Sequence, residues 1–274
     1  MSPLAIVALT ALVSVAGVMT AAAAESRRRR RHAVVDAAWG AAFAVLALAG
    51  GVAGQLSGYS GGSAALVRWL LVALVAAWGG RLSWHLWRRV VAADHDDPRY
   101  EELLGGPFLE VPFGQVLAKV FALQGVIVLV VSAPVVTGLA LRPRVGWSGW
   151  LVAAGCALWL LGMVFEVVGD AQLAAYRADP GRGPILDTGL WAWTRHPNYF
   201  GDACVWWGLW LAGGATAGPW WVAIATLPAP VVMTFFLVVG SGARPTERRM
   251  QGRPGWDAYA ATTPMFLPRP PRGH

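Results

Sequence analysis

Seven apolar runs, at about 2–24, 33–54, 63–84, 116–141, 147–168, 200–217 and 219–240, constrain this chain more than any other feature of its sequence. About 20 apolar residues in a helix reach across the hydrocarbon core of a bilayer, and a segment in lipid must satisfy its own backbone N–H and C=O groups. None of the runs alternates with the period of a strand, so the expected fold is all-α. The chain reads as a polytopic membrane protein of seven transmembrane helices forming one membrane domain over residues 1–274. Its 56% hydrophobic and 14% charged residues and mean hydropathy of +0.50 exclude an ordinary soluble domain. The last two runs are the least defined, because only Gly213-Gly214 and Pro219 separate them.

Charge supplies an orientation. With the N-terminus outside and the C-terminus cytoplasmic, Arg27 to Arg31, Arg81, Arg88, Arg89, Arg99, Lys119, Arg177, Arg182, Arg195 and the C-terminal arginines all fall inside. Only Arg68, Arg142 and Arg144 fall outside, as expected when positive charge stays in the cytoplasm. The small residues at Ala21-Ala-Ala-Ala24 look like a cleavage site, yet no basic residue precedes the apolar run and five arginines follow it, which suits a first span. Cleavage there is the alternative. The net charge of +7 sits between apolar runs and forms no patch interleaved with stacking aromatics, so nucleic acid is not the expected partner. Cys156 and Cys204 lie inside apolar segments without metal-ligand spacing, and no metal site is expected.

Three polar groups interrupt this pattern. The stretch Trp191-Ala-Trp-Thr-Arg195-His-Pro-Asn-Tyr-Phe-Gly201 gathers Arg195, His196, Asn198 and Tyr199 around Pro197, directly before an apolar segment. Pro197 suits the first position of a helix with His196 as its N-cap. The free N–H groups and positive dipole end of that helix, beside Arg195 and His196, make a site for phosphate or carboxylate. The plainer reading is an arginine at a lipid headgroup, a proline opening a helix and a tyrosine in the aromatic belt. The span before it ends Glu166-Val-Val-Gly-Asp170-Ala-Gln172, and Glu166, Asp170 and Arg177 share one helical stripe. Acids at a membrane-inserted helix end are costly unless they meet protein or water, which marks them as site candidates. Alternatively, Arg177 neutralises Asp170, or an arginine of another helix pairs with Glu166. Asn198 and Asp202 are one turn apart on the following helix, so its donors and these acids are expected to close on one ligand. Residues 85–115 form the longest stretch outside the spans, with Asp94-His95-Asp96-Asp97 read as a solvated loop. The aromatics of the tail after residue 240 suggest that it folds back on the domain.

Taken in order, Asp36-Ala-Ala-Trp39-Gly40, Trp78-Gly-Gly-Arg-Leu82, Asp97-Pro-Arg-Tyr100, Glu166-x3-Asp170-x-Gln172, Gly189-Leu-Trp through Gly201, and Glu247 with Arg253-Pro-Gly-x3-Tyr259 resemble the steroid 5-alpha-reductase-like family of bacterial membrane proteins (DUF1295). The resemblance implies a reductase of the bacterial plasma membrane, its active site open to the cytoplasm. Helices over 1–145 would enclose a lipid-like substrate, and the half at 146–274 would grip NADPH. Glu166, Asp170 and Arg177 would line the nicotinamide and ribose end. Asn198 and Asp202 would also contact the cofactor, Asp202 standing where the eukaryotic steroid reductases have glutamate. Arg195 and His196 suit the diphosphate, Tyr199 of the same motif would also bind the cofactor, and Glu247 and Tyr259 belong to a closing tail. Hydride would pass to the C=C of an enone in a steroid-like or isoprenoid lipid. The carbonyl-activating donor would be His85 or Tyr100, with Asp36 and Gln124 as further candidates, for the Gln-Glu pair of the steroid reductases is absent. The rival readings are a membrane methyltransferase similar to the isoprenylcysteine carboxyl methyltransferases, in which Arg-His would hold the carboxylate of S-adenosylmethionine, and a non-catalytic membrane protein.

Overall fold

A computed structural model describes residues 1–271 except 59–60, 107, 109 and 145–147. Pro107, within the long stretch outside the spans, and the 145/146 division between the halves therefore fall outside the described residues. Those residues form helices and turns, with one isolated antiparallel bridge between Pro143 and Ala217. In chain order the helices are α1 (Pro3–Arg29), α2 (Val34–Ser57), α3 (Gly62–Ala92), α4 (Pro98–Leu104), α5 (Phe113–Val116), α6 (Leu123–Val131), α7 (Ala133–Ala140), α8 (Ser148–Ala178), α9 (Pro197–Leu209), α10 (Trp220–Thr226), α11 (Pro228–Phe235), α12 (Ala243–Met250) and α13 (Trp256–Thr262). π-Helical turns link α5 to α6, extend α9 through Trp210–Gly214 and extend α11 through Phe236–Gly240. The termini of α1 follow from local chemistry. Ser2 caps it, its Oγ accepting from Ala5 N at 3.2 Å with Pro3 at the first position, and Arg30 ends it in the left-handed region at φ 55°.

Among the described residues six helical runs are long and apolar enough to cross a membrane, where the sequence reading expected seven. The segment expected at 200–217 does form, as α9 and its π turn, but it opens with the polar Pro197-Asn-Tyr-Phe-Gly-Asp202. Beyond Asp202, Val205, Trp206 and Leu209 are fully buried. A helix surrounded by other helices needs no lipophilic surface, so composition ranks it below its neighbours. Several helices also outrun their apolar cores, α3 to Ala92 and α8 to Ala178. Their polar ends project past the apolar slab, and the site lies there.

Glycines set how close the central helices come. Gly155, Gly162 and Gly169 recur every seven residues along α8, a spacing that keeps them on one face, and Gly201 and Gly208 do the same on α9. The two helices run antiparallel with these glycines opposed. A Cβ on Gly155 would stand 2.6 Å from the carbonyl oxygen of Gly208, and one on Gly201 would stand 2.5 Å from that of Gly162. On α2 and α3, Gly40 and Gly79 oppose each other in the same way. In lipid, where apolar contact alone gives helices little reason to associate, such close backbone approach is a main source of packing energy. Beside the seam, Phe43, Trp78 and Trp206 form a fully buried cluster, Trp78 and Trp206 meeting edge to face at 5.2 Å.

Replacing Gly162 by Ala forces a methyl group against Gly201 and the backbone of Val205. The expected cost is about 1–3 kcal/mol, read as a lower melting temperature in detergent. Gly17→Ala, whose Cβ would meet nothing within 4 Å, serves as the control and is expected to be neutral or stabilising. Equal melting of the two variants would remove the seam from the account.

Candidate functional site

One turn beyond Gly162 on α8 comes Glu166, and one turn further Asp170. Because α8 and α9 are held close, both acids meet the start of α9. Asn198 Nδ2 donates to Asp170 Oδ1 at 3.3 Å. Glu166 is buried against Gly201, and Asp202 lies near enough for its carboxylate to feel those of Glu166 and Asp170. Oδ1 of Asp202 and the indole N–H of Trp206, one turn on, are both buried and lie side by side without closing to hydrogen-bonding geometry.

Three carboxylates in so small a volume demand a cation, and α3 supplies it. The Arg81 guanidinium forks across the two α8 acids, Nη2 on Glu166 and Nη1 on Asp170 at 3.0 Å. Trp78, three residues earlier on the same face, donates from Nε1 to Glu166 Oε1 at 3.0 Å. His85, one turn after Arg81, places Nε2 3.9 Å from Asp170 Oδ2. The pairing of Glu166 with an arginine from another helix, one of the open alternatives from sequence, is thus what the structure contains. Arg177 takes no part in it and has no ion pair or side-chain hydrogen bond among the described residues. The reach of Arg81 was not foreseen, although Trp78-Gly-Gly-Arg81 carried the signal: an arginine facing inward from a membrane helix must find an anion.

At the N-terminus of α9 the expected cap geometry holds, with His196 as N-cap and Pro197 as the first residue. The expected free anion site does not form around Arg195. Its Nε and Nη2 donate to the Glu247 carboxylate at 2.7 and 3.1 Å, and Nη1 donates to the carbonyls of Ala260 and Thr263 at 2.7 and 2.6 Å. His196 Nε2 also meets Glu247, at 3.2 Å, and its ring stacks on Tyr199. Burial lowers the His196 pKa against the opposing pull of Glu247, so the ring is neutral at pH 7 and donates from Nε2. Arg195 and Glu247 therefore act as a clasp for the tail. Other bonds complete it: Tyr259 Oη donates to the Trp191 carbonyl at 2.6 Å, Thr194 Oγ1 to that of Phe266 at 2.9 Å, and Arg269 N to that of Trp193 at 2.9 Å. Gln172 Oε1 accepts from Leu190 N at 3.0 Å and holds the turn before the motif.

Between α8, the start of α9 and this tail lies a cavity of about 990 Å³. It is lined by His85, Asp170, Arg177, Arg195, His196, Asn198, Tyr199 and Tyr259 of the predicted residues, so eight of the twelve come together. Glu166, Asp202 and Glu247 are not in its lining; of the three, Glu247 holds residues that are, Arg195 and His196. Arg89, Arg99, Arg182, Arg249 and Arg253 line it too, against the single further acid Asp97, which makes the cavity strongly cationic. Tyr176, Trp191 and Trp256 add ring surfaces. Glu102 and Arg249, 3.3 Å apart, bridge the segment before α5 to α12.

Tyr100, the remaining candidate, is not at the cavity. Its hydroxyl donates to Asp36 Oδ1 at 2.6 Å, and Arg99 bridges Asp36 and Asp97 at 2.9 and 2.8 Å. Burial, and then the Asp36 carboxylate, hold the Tyr100 phenol well above its ordinary pKa, so it stays protonated and engaged. Asp96, read from sequence as solvated, instead accepts from the free N–H groups of His32 and Ala33, at 2.6 and 3.0 Å, just before α2.

A family model described as "Protein of unknown function (DUF1295)" matches residues 23–263. No curated protein and no solved structure matches the chain.

Removing the cation from the carboxylate cluster leaves buried charge unpaired. Arg81→Ala is expected to cost about 3–5 kcal/mol, seen as a large drop in melting temperature or in folded yield, and adding Glu166→Gln to Arg81→Met should recover most of it. Wild-type stability of Arg81→Ala alone would show that the cluster is already neutralised by protons.

Proposed function

We propose that this chain, which belongs to the DUF1295 family, is a membrane-embedded NADPH-dependent reductase of the steroid 5-alpha-reductase type, acting on an enone in a steroid-like or isoprenoid lipid. The observation that carries the reading is the cationic cavity of about 990 Å³, at the upper end of the range for small-molecule sites, with the Asp170–Asn198 pair in its wall. A dinucleotide needs three kinds of surface, and the lining offers each. Arg89, Arg177 and Arg253, with no ion pair or side-chain hydrogen bond among the described residues, would take the phosphates. Tyr176, Trp191 and Tyr199 offer faces to the rings, and Asp170 and Asn198 offer polar atoms to ribose hydroxyls and a carboxamide. The phosphate role thus passes from Arg195, which the tail engages, to the arginines around it.

NADPH, when bound, supplies a hydride for the β-carbon of the enone. The protein's task is to meet the negative charge that then grows on the carbonyl oxygen. His85 is the one predicted donor that faces the cavity, with its Nε2 3.9 Å from Asp170. Arg81 keeps Asp170 from moving, and Glu166, itself held by the Trp78 indole N–H, keeps Arg81 in place. By this reading the reductase works at the cytoplasmic surface of a bacterial plasma membrane.

The protein purified in detergent, titrated separately with NADPH and S-adenosylmethionine, tests this. At a hundredfold excess over Kd, NADPH should raise the melting temperature by about 5–10 °C, and Arg177→Gln should weaken its binding roughly tenfold or more. Stabilisation by S-adenosylmethionine alone would make the protein a methyltransferase, and a response to neither ligand would make it a non-catalytic membrane protein.

A further inference from the structure

On the other side of α3 from the cavity lies a second concavity, of about 470 Å³, walled by α1, α2 and α3. It runs from Val18 to Glu25 on α1, from Val34 to Ala41 on α2 and from Gly80 to Trp87 on α3. Each wall covers two helical turns, so the groove is about 10 Å long. Its sides are alanine, valine, glycine and tryptophan with Ser83, whose hydroxyl donates to the Ala37 carbonyl, and its only charged lining residue, Glu25, stands at one end. There the chemistry changes sharply. Arg28 Nη2 pairs with Glu25 at 2.7 Å, Arg29 pairs with the same carboxylate, and the Arg29 guanidinium lies 4.6 Å from the ring centroid of Trp87 in the groove wall. Arg27 turns away to the Phe113 ring and Arg31 to the Val90 carbonyl, so two cations and one anion stand at the mouth, an excess of one positive charge.

We propose that this groove is a binding site for an anionic phospholipid of the surrounding bilayer, one acyl chain lying between α1, α2 and α3 and the phosphate meeting Arg28 and Arg29. Two independent features point to that occupant. The apolar length ends where a chain must give way to a headgroup, and the charge at that end is positive beyond what Glu25 neutralises. A zwitterionic headgroup would add a cation to a cluster already in excess, whereas phosphatidylglycerol adds only the anion. Each arginine near an anionic surface contributes a preference of roughly fivefold. The site shares no lining residue with the larger cavity, so this proposal stands apart from the cofactor reading.

The full chain in detergent, supplemented with dioleoylphosphatidylglycerol or dioleoylphosphatidylcholine at equal mole fraction, is followed by thermal melting and by native mass spectrometry. Expected are a higher melting temperature with the anionic lipid and one retained molecule of it, favoured roughly fivefold or more over the zwitterionic lipid. The neutral variant Glu25→Gln/Arg28→Gln/Arg29→Gln should lose that preference. Gly80→Leu should lose the retained lipid: a Cβ there meets nothing within 4 Å, so the new side chain fills the groove and not the protein. Ala21→Leu, on the α1 wall, repeats that test from another helix should Gly80→Leu melt early. Equal retention of the two lipids, or retention unchanged in both groove-filling variants, overturns the proposal.

Discussion

Two membrane helices can bring carboxylates into one cluster only if their backbones nearly touch, and the opposed glycines of α8 and α9 meet that condition. Any side chain at Gly155, Gly162, Gly201 or Gly208 would hold the helices apart by the width of at least a methyl group. The contact between Asn198 and Asp170 would then open, and Glu166 would lose its seat against Gly201. The polar architecture of the site thus descends from the least polar residue type in the chain.

Close approach creates a second problem, which α3 resolves. Glu166, Asp170 and Asp202 would repel one another in a medium that screens charge weakly. Arg81 reaches two of them with one planar fork, a geometry that lysine cannot reproduce. The same logic recurs at the tail, where Glu247 draws in Arg195 and His196 and the remaining donors of Arg195 close on backbone carbonyls. Glu166, Asp170 and Glu247 are each answered from a different element, so the clusters tie the chain together as well as shaping the cavity.

Much of this was legible in the residues. The apolar runs located the helices, and Pro197 located the start of α9 with its N-cap. The one-turn spacing of Glu166 and Asp170, and of Asn198 and Asp202, placed these residues on facing helices. Three things were not legible, each for a physical reason. A helix shielded by protein is not marked by lipophilicity, so α9 is not among the helices apolar enough to cross a membrane although it lies at the centre of the packing. A basic side chain gives no hint from sequence of which acid it meets, so Arg195 was assigned to a ligand when Glu247, 52 residues away, holds it. Tyr100 looked like a proton donor because its partner Asp36 is 64 residues distant.

The tail of the chain carries a last consequence. Pro245, Arg253 and Trp256 form part of the cavity wall, and the backbone at Pro264, Phe266 and Arg269 is what fastens that wall to Thr194 and its neighbours. The helical bundle can therefore keep its shape while this strap is loose, whereas the chamber exists only while the strap is fastened.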